Sequence, residues 1–435
     1  MATASQPIRA PARVGDLVPR IVTIAAAATV ATGLVVRHVQ GGLGTASPPF
    51  VMVWGPRLHP LAAVAFAGSA LAVQAAGRLV RFQRGATFAA GVFGLALALG
   101  LALNLARTGT RGWDAVFDLH RGGSFEAANE YLAGFPALTY GTRFYLDRFA
   151  ELVPSLPVNV AGHPPGPLIV LHALGVSTAA GAAALCIGAG ALGAPLTYAL
   201  GRTLGTDRDA RLAAVLFACS PLTLLFGVTS FDYLFATAGL GAACLLASGR
   251  RVMGAIAFSL AALLSWALLA IGAWAAVLAW RRHGARAAAA LATACALAWI
   301  AVNIALAAAY GYDPIGTLRA TASVYRHGVA AVRPHAFWAF GSPVAWGTML
   351  GVPIAAGALR ALARGTDSAV ALAIVVAIAA AAGFTKAETE RIWLFLVPLA
   401  CVAAAPLLAR ARTQAIVAAC VAQALVVELL FDTIW

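Results

Sequence analysis

Apolar stretches of about 20 residues recur along almost the whole chain, separated by short polar links. A helix needs about 20 apolar residues to cross the ~30 Å hydrocarbon core of a bilayer. Because 61% of the 435 residues are hydrophobic and 11% are charged, the composition excludes both disorder and a soluble globule. The sequence therefore predicts an all-α polytopic membrane protein with a single transmembrane domain over residues 1–435.

The stretch 252–280 is either one long span or a hairpin of two short spans that meet near Ser265 and Trp266. The hairpin places 18 basic residues inside and 12 outside, whereas a single span gives 16 against 14, so the positive-inside rule favours the hairpin. This predicts about 13 helices, a cytoplasmic tail at residues 1–19 and an extracytoplasmic C-terminus. The predicted spans are residues 20–36, 60–78, 85–105, 177–203, 209–227, 232–249, 252–264, 267–280, 287–310, 342–362, 367–385, 392–409 and 413–431.

The formal net charge of +14 follows from this topology. The inner links carry 18 basic and 4 acidic residues, which accounts for the whole excess, and the outer segments carry 12 of each sign. The arginines are scattered between apolar runs rather than clustered on a polar face. The charge therefore predicts anchoring in the membrane and no nucleic-acid partner.

Two long outer loops, residues 106–165 and 311–341, hold the polar residues that topology does not require. The first loop contains Asp114, Asp118 and Glu130, and a carboxylate at a membrane surface can act as general base toward a sugar or lipid hydroxyl. Asp114 and Asp118 lie four residues apart and are expected to share a helix face. Ser124 can cap a first helix that runs through Tyr131–Leu132, and residues 142–153 predict a second, interfacial helix. The alternative is that these helices only plug the outer mouth and that the acids are solvated or paired.

Further candidate residues for binding a substrate phosphate lie beyond the first loop. His163 precedes two prolines and a helix start, where unpaired amides favour an anion. Asp232 opens a later helix, either as a helix cap or as an acid at the outer face. In the second loop Arg326, Arg333 and His335 lie beside aromatic residues, a pattern that suits a phosphate with an adjacent sugar or an interfacial belt.

The outer hinge between the predicted spans 367–385 and 392–409 is unusually charged. It carries Lys386, Glu388, Glu390 and Arg391, four charges in six residues. An outer hinge has no topological use for two basic residues, so the hinge predicts a functional site. Lys386 and Glu390 are spaced as an i, i+4 pair.

Taken with the outer loop, three motifs resemble the glycosyltransferase-C superfamily, and most closely its actinobacterial integral membrane members. They are Glu130-Tyr131-Leu132, the turn Gly162-His163-Pro164-Pro165-Gly166, and the run from Glu388 to Trp393. The resemblance implies a glycosyltransferase-C-like bundle in a bacterial plasma membrane. It also implies a hexosyl- or pentosyltransferase that moves a sugar from a polyprenyl-phosphate donor to a hydroxyl of a cell-envelope glycan or glycolipid. In that superfamily an acid of the first loop is the general base of an inverting displacement.

The sequence departs from this pattern in two ways. The long loop follows the third span rather than the first, and it lacks an adjacent acidic doublet. The base therefore stays open among Asp114, Asp118 and Glu130, and the participation of a divalent metal ion also stays open. Two other functions compete with transfer: a transporter or flippase of lipid-linked intermediates, and a non-catalytic scaffold subunit.

Overall fold

Glycine and proline residues in the polar links interrupt the apolar runs and set the ends of the helices. The computed structural model describes residues 12–40, 42–82, 84–120, 124–409 and 411–433. The predicted tail 1–19 is only partly covered, because residues 1–11 lie outside the described residues and helix α1 begins at Ala12. Up to the predicted hairpin the helices are α1 (Ala12–Gln40), α2 (Ala62–Leu79), α3 (Gly85–Thr108), α4 (Gly141–Asp147), α5 (Phe149–Leu152), α6 (Val158–Ala161), α7 (Gly166–Ala173), α8 (Ala179–Ala191), α9 (Gly193–Leu204), α10 (Asp207–Cys219) and α11 (Asp232–Ala247).

The second half of the chain is equally helical. Its helices are α12 (Arg251–Ala262), α13 (Leu269–His283), α14 (Ala285–Tyr310), α15 (Pro314–His327), α16 (His335–Met349), α17 (Val352–Ala363), α18 (Asp367–Ala382), α19 (Thr389–Ile392), α20 (Val397–Leu408) and α21 (Thr413–Leu430). Two short strands, β1 (Val53–Trp54) and β2 (Phe431–Asp432), pair antiparallel and tie the segment before α2 to the end of α21. The predicted all-α class is confirmed.

Six helical segments are long and apolar enough to cross a membrane. They are Arg20–Val39, Ala62–Leu79, Gly85–Phe117, Ala179–Leu204, Ala285–Tyr310 and Thr413–Leu430, and a bent pair, α16 with α17, brings the number to seven. Shorter apolar helices, among them α11, α12 and α18, fill the bundle around them. These helices make the chain a membrane-embedded protein, whereas the number of 13 spans stays a prediction. Helices α10 and α20 lie at the centre, since almost all their side chains are buried.

The predicted span 342–362 is bent by 118° between α16 and α17. Gly351 takes a φ of +110° at the break, a conformation that an L side chain rarely adopts. Gln423 of α21 bonds to both helices at the break. Its Nε2 donates to Thr348 O near the end of α16, and its Oε1 accepts from Val352 N at the start of α17. The side-chain amide therefore replaces the helical hydrogen bonds that the bend removes.

The segment 252–280 folds as two helices that turn back on each other. Arg251 at the start of α12 and Arg282 at the end of α13 line the same small cavity. Halfway along, Phe258 of α12 packs against Gly272 of α13. The turn between them, residues 263–268, lies at the opposite end of the molecule, where Leu263 O accepts a hydrogen bond from Gly166 N. The hairpin favoured by the charge distribution is therefore the observed arrangement.

The arginine-rich links gather at one end of the bundle. Arg208 Nη2 donates to Ala409 O, Arg282 Nη2 donates to Leu204 O, and Arg281 Nε donates to Asp367 Oδ1. These hydrogen bonds join links that lie between different pairs of helices. Which face of the membrane this end occupies stays a prediction.

The long loop 106–165 is a chain of short turns rather than two regular helices. The predicted helix 142–153 is broken at Arg148 into α4 and α5, although Tyr145 and Phe149 are buried as the pattern predicted. The expected helix face shared by Asp114 and Asp118 is wrong, because these acids flank one 3₁₀ turn, Ala115–Phe117. The other 3₁₀ turns of the first half of the loop are Gly109–Trp113, Phe125–Asn129 and Tyr131–Leu138.

Candidate functional site

The charged hinge after α18 folds inward and forms the centre of the candidate site. Ala387 and Glu388 both adopt left-handed backbone angles, with φ of 64° and 56°, which are strained for residues with side chains. The turn is held by Ser342 of α16, whose Oγ accepts from Ala387 N and whose backbone oxygen accepts from Thr389 Oγ1. As a result the short helix α19 points its polar residues into the protein.

Arg391 connects four elements of the fold through its guanidinium. Nη1 lies 3.0 Å from Asp232 Oδ2, at the start of α11, and 3.9 Å from Glu130 Oε1. Nη2 lies 3.3 Å from Glu388 Oε2 and 3.3 Å from Asn159 Oδ1. Arg391 remains charged in this buried position, because the neighbouring Asp232 and Glu388 raise its pKa against the effect of burial.

Glu130 is the most deeply buried acid of this cluster, with no exposed surface. Its Oε1 accepts from Asn159 Nδ2 at 2.8 Å, and its Oε2 has no hydrogen-bond partner among the described residues. Burial raises the pKa of Glu130 to about 8; Arg391 opposes this rise and Asp232 adds to it. Glu130 is therefore mostly protonated at neutral pH, with one oxygen free to exchange a proton.

His163 lies near Asp232 and packs against aromatic side chains. Its ring contacts those of Tyr131 and Phe235, with centroids 5.8 and 5.6 Å apart. His163 Nδ1 lies 2.7 Å from Asn159 O, and because a carbonyl only accepts, Nδ1 carries the proton and Nε2 is left as an acceptor in the neutral ring. Burial lowers the pKa of His163, which Asp232 opposes, so the ring is neutral at pH 7.

Arg333 and Lys386 form the rim of the cluster. Arg333 Nη2 donates to Glu388 Oε1 at 2.6 Å, and Nη1 donates to Lys386 O at 2.8 Å. Burial of Glu388 opposes its ionisation, but Arg333 and Arg391 outweigh burial and lower the pKa of Glu388. The predicted i, i+4 pair of Lys386 with Glu390 is wrong, because the left-handed turn lies between them; Lys386 Nζ lies 3.5 Å from Ala330 O instead.

Glu390 is buried on the other side of the hinge. Its Oε1 accepts from Val51 N at 3.0 Å, which ties the segment before α2 to the site. Burial raises the pKa of Glu390 to about 7, while the bond from Val51 lowers it. Glu390 thus lies next to the cluster without sharing the guanidinium of Arg391.

Four predicted site residues lie outside the buried cluster. Asp118 is partly exposed and bonded to His120, whose backbone N–H lowers the pKa of Asp118, and Asp114 is half-buried beside the 3₁₀ turn. Arg326 is exposed and donates to Ala322 O of its own helix. His335 is exposed and packs on Gly383.

The anion site predicted at the start of α7 is weakened by a contact that the sequence did not reveal. Gly166 N donates to Leu263 O in the α12–α13 turn, and Pro167 has no amide hydrogen. The space there is so tight that a Cβ on Gly166 would overlap Leu263 O. The His-Pro-Pro-Gly turn therefore docks the hairpin and positions His163.

Sequence reasoning missed Asn159, which bridges Glu130 and Arg391 with its two amide ends. The only signal in the sequence is its position four residues before His163, which places both on one face of a helical turn. A single asparagine in an apolar loop is too common to be singled out.

The three acids around Arg391 are arranged about its guanidinium. Among the described residues, no group of three or more His, Cys, Asp or Glu side chains is arranged to hold a metal ion. Glu130 and Asp232 lie at Nη1 and Glu388 lies at Nη2, so the guanidinium occupies the position between the acids. The participation of a divalent metal ion stays a prediction.

Comparisons with known proteins add nothing to this geometry. No protein-family model matches the chain, and neither curated proteins nor solved structures give a match.

Proposed function

We propose that the protein is a membrane glycosyltransferase in which Glu130 is the general base. The enzyme transfers a sugar from a polyprenyl-phosphate donor to a hydroxyl of a cell-envelope glycan or glycolipid. Glu130 accepts the hydroxyl proton, the acceptor oxygen bonds to the anomeric carbon with inversion, and the bond from that carbon to the phosphate oxygen breaks. The observation that carries the proposal is the buried Glu130 in the first long loop, with one oxygen unbonded among the described residues.

The environment of the three candidate acids favours Glu130. Its pKa is raised to about 8, which makes it a strong base once it is ionised. The pKa of Asp118 is lowered by its bonds to His120, so Asp118 holds a proton weakly. Asp114 lies outside the cluster that contains Arg391.

Arg391 and Asn159 then act as positioning residues. They hold Glu130 Oε1 from two directions and leave Oε2 for the acceptor hydroxyl. The leaving phosphate meets positive charge at the rim, where Arg333 and Lys386 lie beside the partly exposed Glu388. His163 Nε2 is available as a hydrogen-bond acceptor for a sugar hydroxyl. Because Glu130 is fully buried, the segments that cover it have to move apart before the acceptor hydroxyl can reach Oε2.

A transporter route receives less support from the spanning helices. Asn104 donates to Gly100 O and Leu224 O, Asn303 donates to Trp299 O, and Gln423 serves the α16–α17 bend. These amides bond to helix carbonyls, as structural amides in membrane helices do.

Transfer by the purified protein tests the proposal directly. The full chain is incubated in detergent with polyprenyl-phosphate sugars and an envelope acceptor, and the glycosylated product is measured. Glu130→Gln is expected to lower the rate roughly 10²- to 10⁴-fold, whereas the matched Asp118→Asn variant keeps nearly the full rate. No transfer by the wild type with any such donor rejects the activity, and undiminished transfer by Glu130→Gln rejects the base.

A further inference from the structure

A second site lies at the arginine-rich end, opposite the carboxylate cluster. A cavity of about 840 Å³ opens there between the end of α2, the start of α10 and the link from α20 to α21. Arg78, Arg81, Arg208 and Arg412 line it, and they come from these three separate segments. None of the described residues that line the cavity is acidic.

The nearest acids are engaged elsewhere. Asp207 Oδ2 pairs with Arg211 at 2.6 Å, and its Oδ1 accepts from Tyr198 at 2.6 Å. Asp209 Oδ2 accepts from Thr206 Oγ1 at 2.7 Å. Among the described ion pairs, neither acid is paired with an arginine that lines the cavity.

Membrane topology explains arginines in the links, but it does not explain why four of them surround one cavity. Arginines scattered over the same links satisfy the positive-inside rule equally well. Bringing like charges together costs Coulomb energy, which a bound anion removes. Arginine forks also match the oxygens of a phosphate.

We propose that this cavity binds the phosphate headgroup of an anionic membrane lipid. Its position at the end of α2 and the start of α21 is the level of the headgroups for helices of this length. Val80 and Leu212 add apolar surface beside the arginines, which suits the glycerol and the first methylenes of the lipid. At about 840 Å³ the cavity is far larger than one phosphate ion, since a water molecule takes up about 30 Å³. A headgroup with two phosphates, as in cardiolipin, fits this volume.

Lipid binding is measured on the full chain reconstituted in phosphatidylcholine vesicles with and without cardiolipin. The probes are native mass spectrometry of the retained lipid and the thermal shift caused by cardiolipin. The test variant replaces Arg78, Arg81 and Arg412 by Gln, and the single variant Arg412→Gln is measured in parallel. Arg208 is kept because it bonds to Ala409 O. The control variant replaces Arg250, Arg286 and Arg364 by Gln, which removes the same charge from exposed positions that do not line the cavity.

Each arginine near anionic lipid contributes about fivefold in affinity, so the triple cavity variant is expected to bind cardiolipin about 100-fold more weakly. The single variant is expected to bind about fivefold more weakly, and the control variant is expected to bind like the wild type. Equal losses in the cavity and control variants overturn the site, as does equal retention of cardiolipin and phosphatidylcholine. If inorganic phosphate alone reproduces the whole thermal shift, the cavity binds a soluble anion and the lipid assignment is wrong.

Discussion

Replacing Glu130 by Gln should remove a large pH dependence from the stability of the protein. The buried carboxyl has a pKa of about 8 in the folded state and about 4.5 when the chain is unfolded. A folded-state pKa above the unfolded value means that stability is fully present below pH 4.5 and is lost as the pH rises toward 8. Glutamine mimics the protonated acid and cannot ionise, so the variant lacks this loss.

The size of the effect follows from the pKa difference. One pKa unit corresponds to about 1.4 kcal/mol, so between pH 5 and pH 8 the wild type loses on the order of 3–4 kcal/mol through Glu130. The unfolding entropy is roughly 2.1 cal/mol/K per residue, which gives about 0.9 kcal/mol/K for the whole chain. The melting temperature of the wild type relative to the variant should therefore fall by about 4 °C over this pH range.

The assay is intrinsic tryptophan fluorescence during heating in detergent, at several pH values from 5 to 8. The matched control is Glu151→Gln in the same loop, whose wild-type carboxylate is 69% exposed and pairs with Arg148 at the surface. The difference in melting temperature between the wild type and Glu151→Gln should change by less than about 1 °C between pH 5 and pH 8, because exposed ion pairs contribute little to stability. Since detergent-solubilised proteins often unfold irreversibly, all samples are heated at one scan rate.

A difference between wild type and Glu130→Gln that stays flat from pH 5 to 8 would refute the reasoning. Such a result would mean that Glu130 is hydrated or ionised in the folded protein. The proposed base would then lose the basicity on which its role depends.

Further expectations concern the rate, the ion network, the hairpin contact and the topology. The transfer rate should rise about tenfold per pH unit below pH 8 and level off above it as Glu130 ionises, and a profile without this limb contradicts the base. Arg391→Leu strands the buried carboxylates and should cost about 3–5 kcal/mol in thermal unfolding, and a stable variant disproves that coupling. Gly166→Ala should cost about 1–3 kcal/mol because its methyl group overlaps the α12–α13 turn, so an unchanged melting temperature refutes the close packing. In intact cells a membrane-impermeant thiol reagent should label Arg148→Cys but not Arg364→Cys, and the reverse inverts the topology.

The sequence located most of the candidate site because charge is expensive in and near a bilayer. Four charges in the hinge from Lys386 to Arg391 have no role in topology, and three of them, from Glu388 onward, lie in or beside the buried cluster. The same logic selected Glu130 and Asp232, which also contact Arg391. Arg326 and His335 satisfied the same residue-type argument but lie at the surface, because composition does not show which face of a helix is buried.

The wrong predictions have a common physical cause. Residues spaced for one face of a helix lie in segments that do not form a regular helix. Asp114 with Asp118 and Lys386 with Glu390 are spaced for a helix, but 3₁₀ and left-handed turns separate them. Helical propensity over such short segments is too weak to resist tertiary contacts, such as those from Ser342 that hold the hinge.

The sequence by itself determined that the chain is an all-α membrane protein and that its arginine-rich links are separate from its long, charge-balanced loops. These properties follow from the cost of placing polar groups in lipid, which each segment meets separately. Only the tertiary structure decided that Arg391 connects Glu130, Asp232, Glu388 and Asn159, and that four arginines surround a cavity at the far end. Those groupings join residues 261 positions apart in the cluster, Glu130 and Arg391, and 334 positions apart at the cavity, Arg78 and Arg412, and depend on packing that no local pattern encodes.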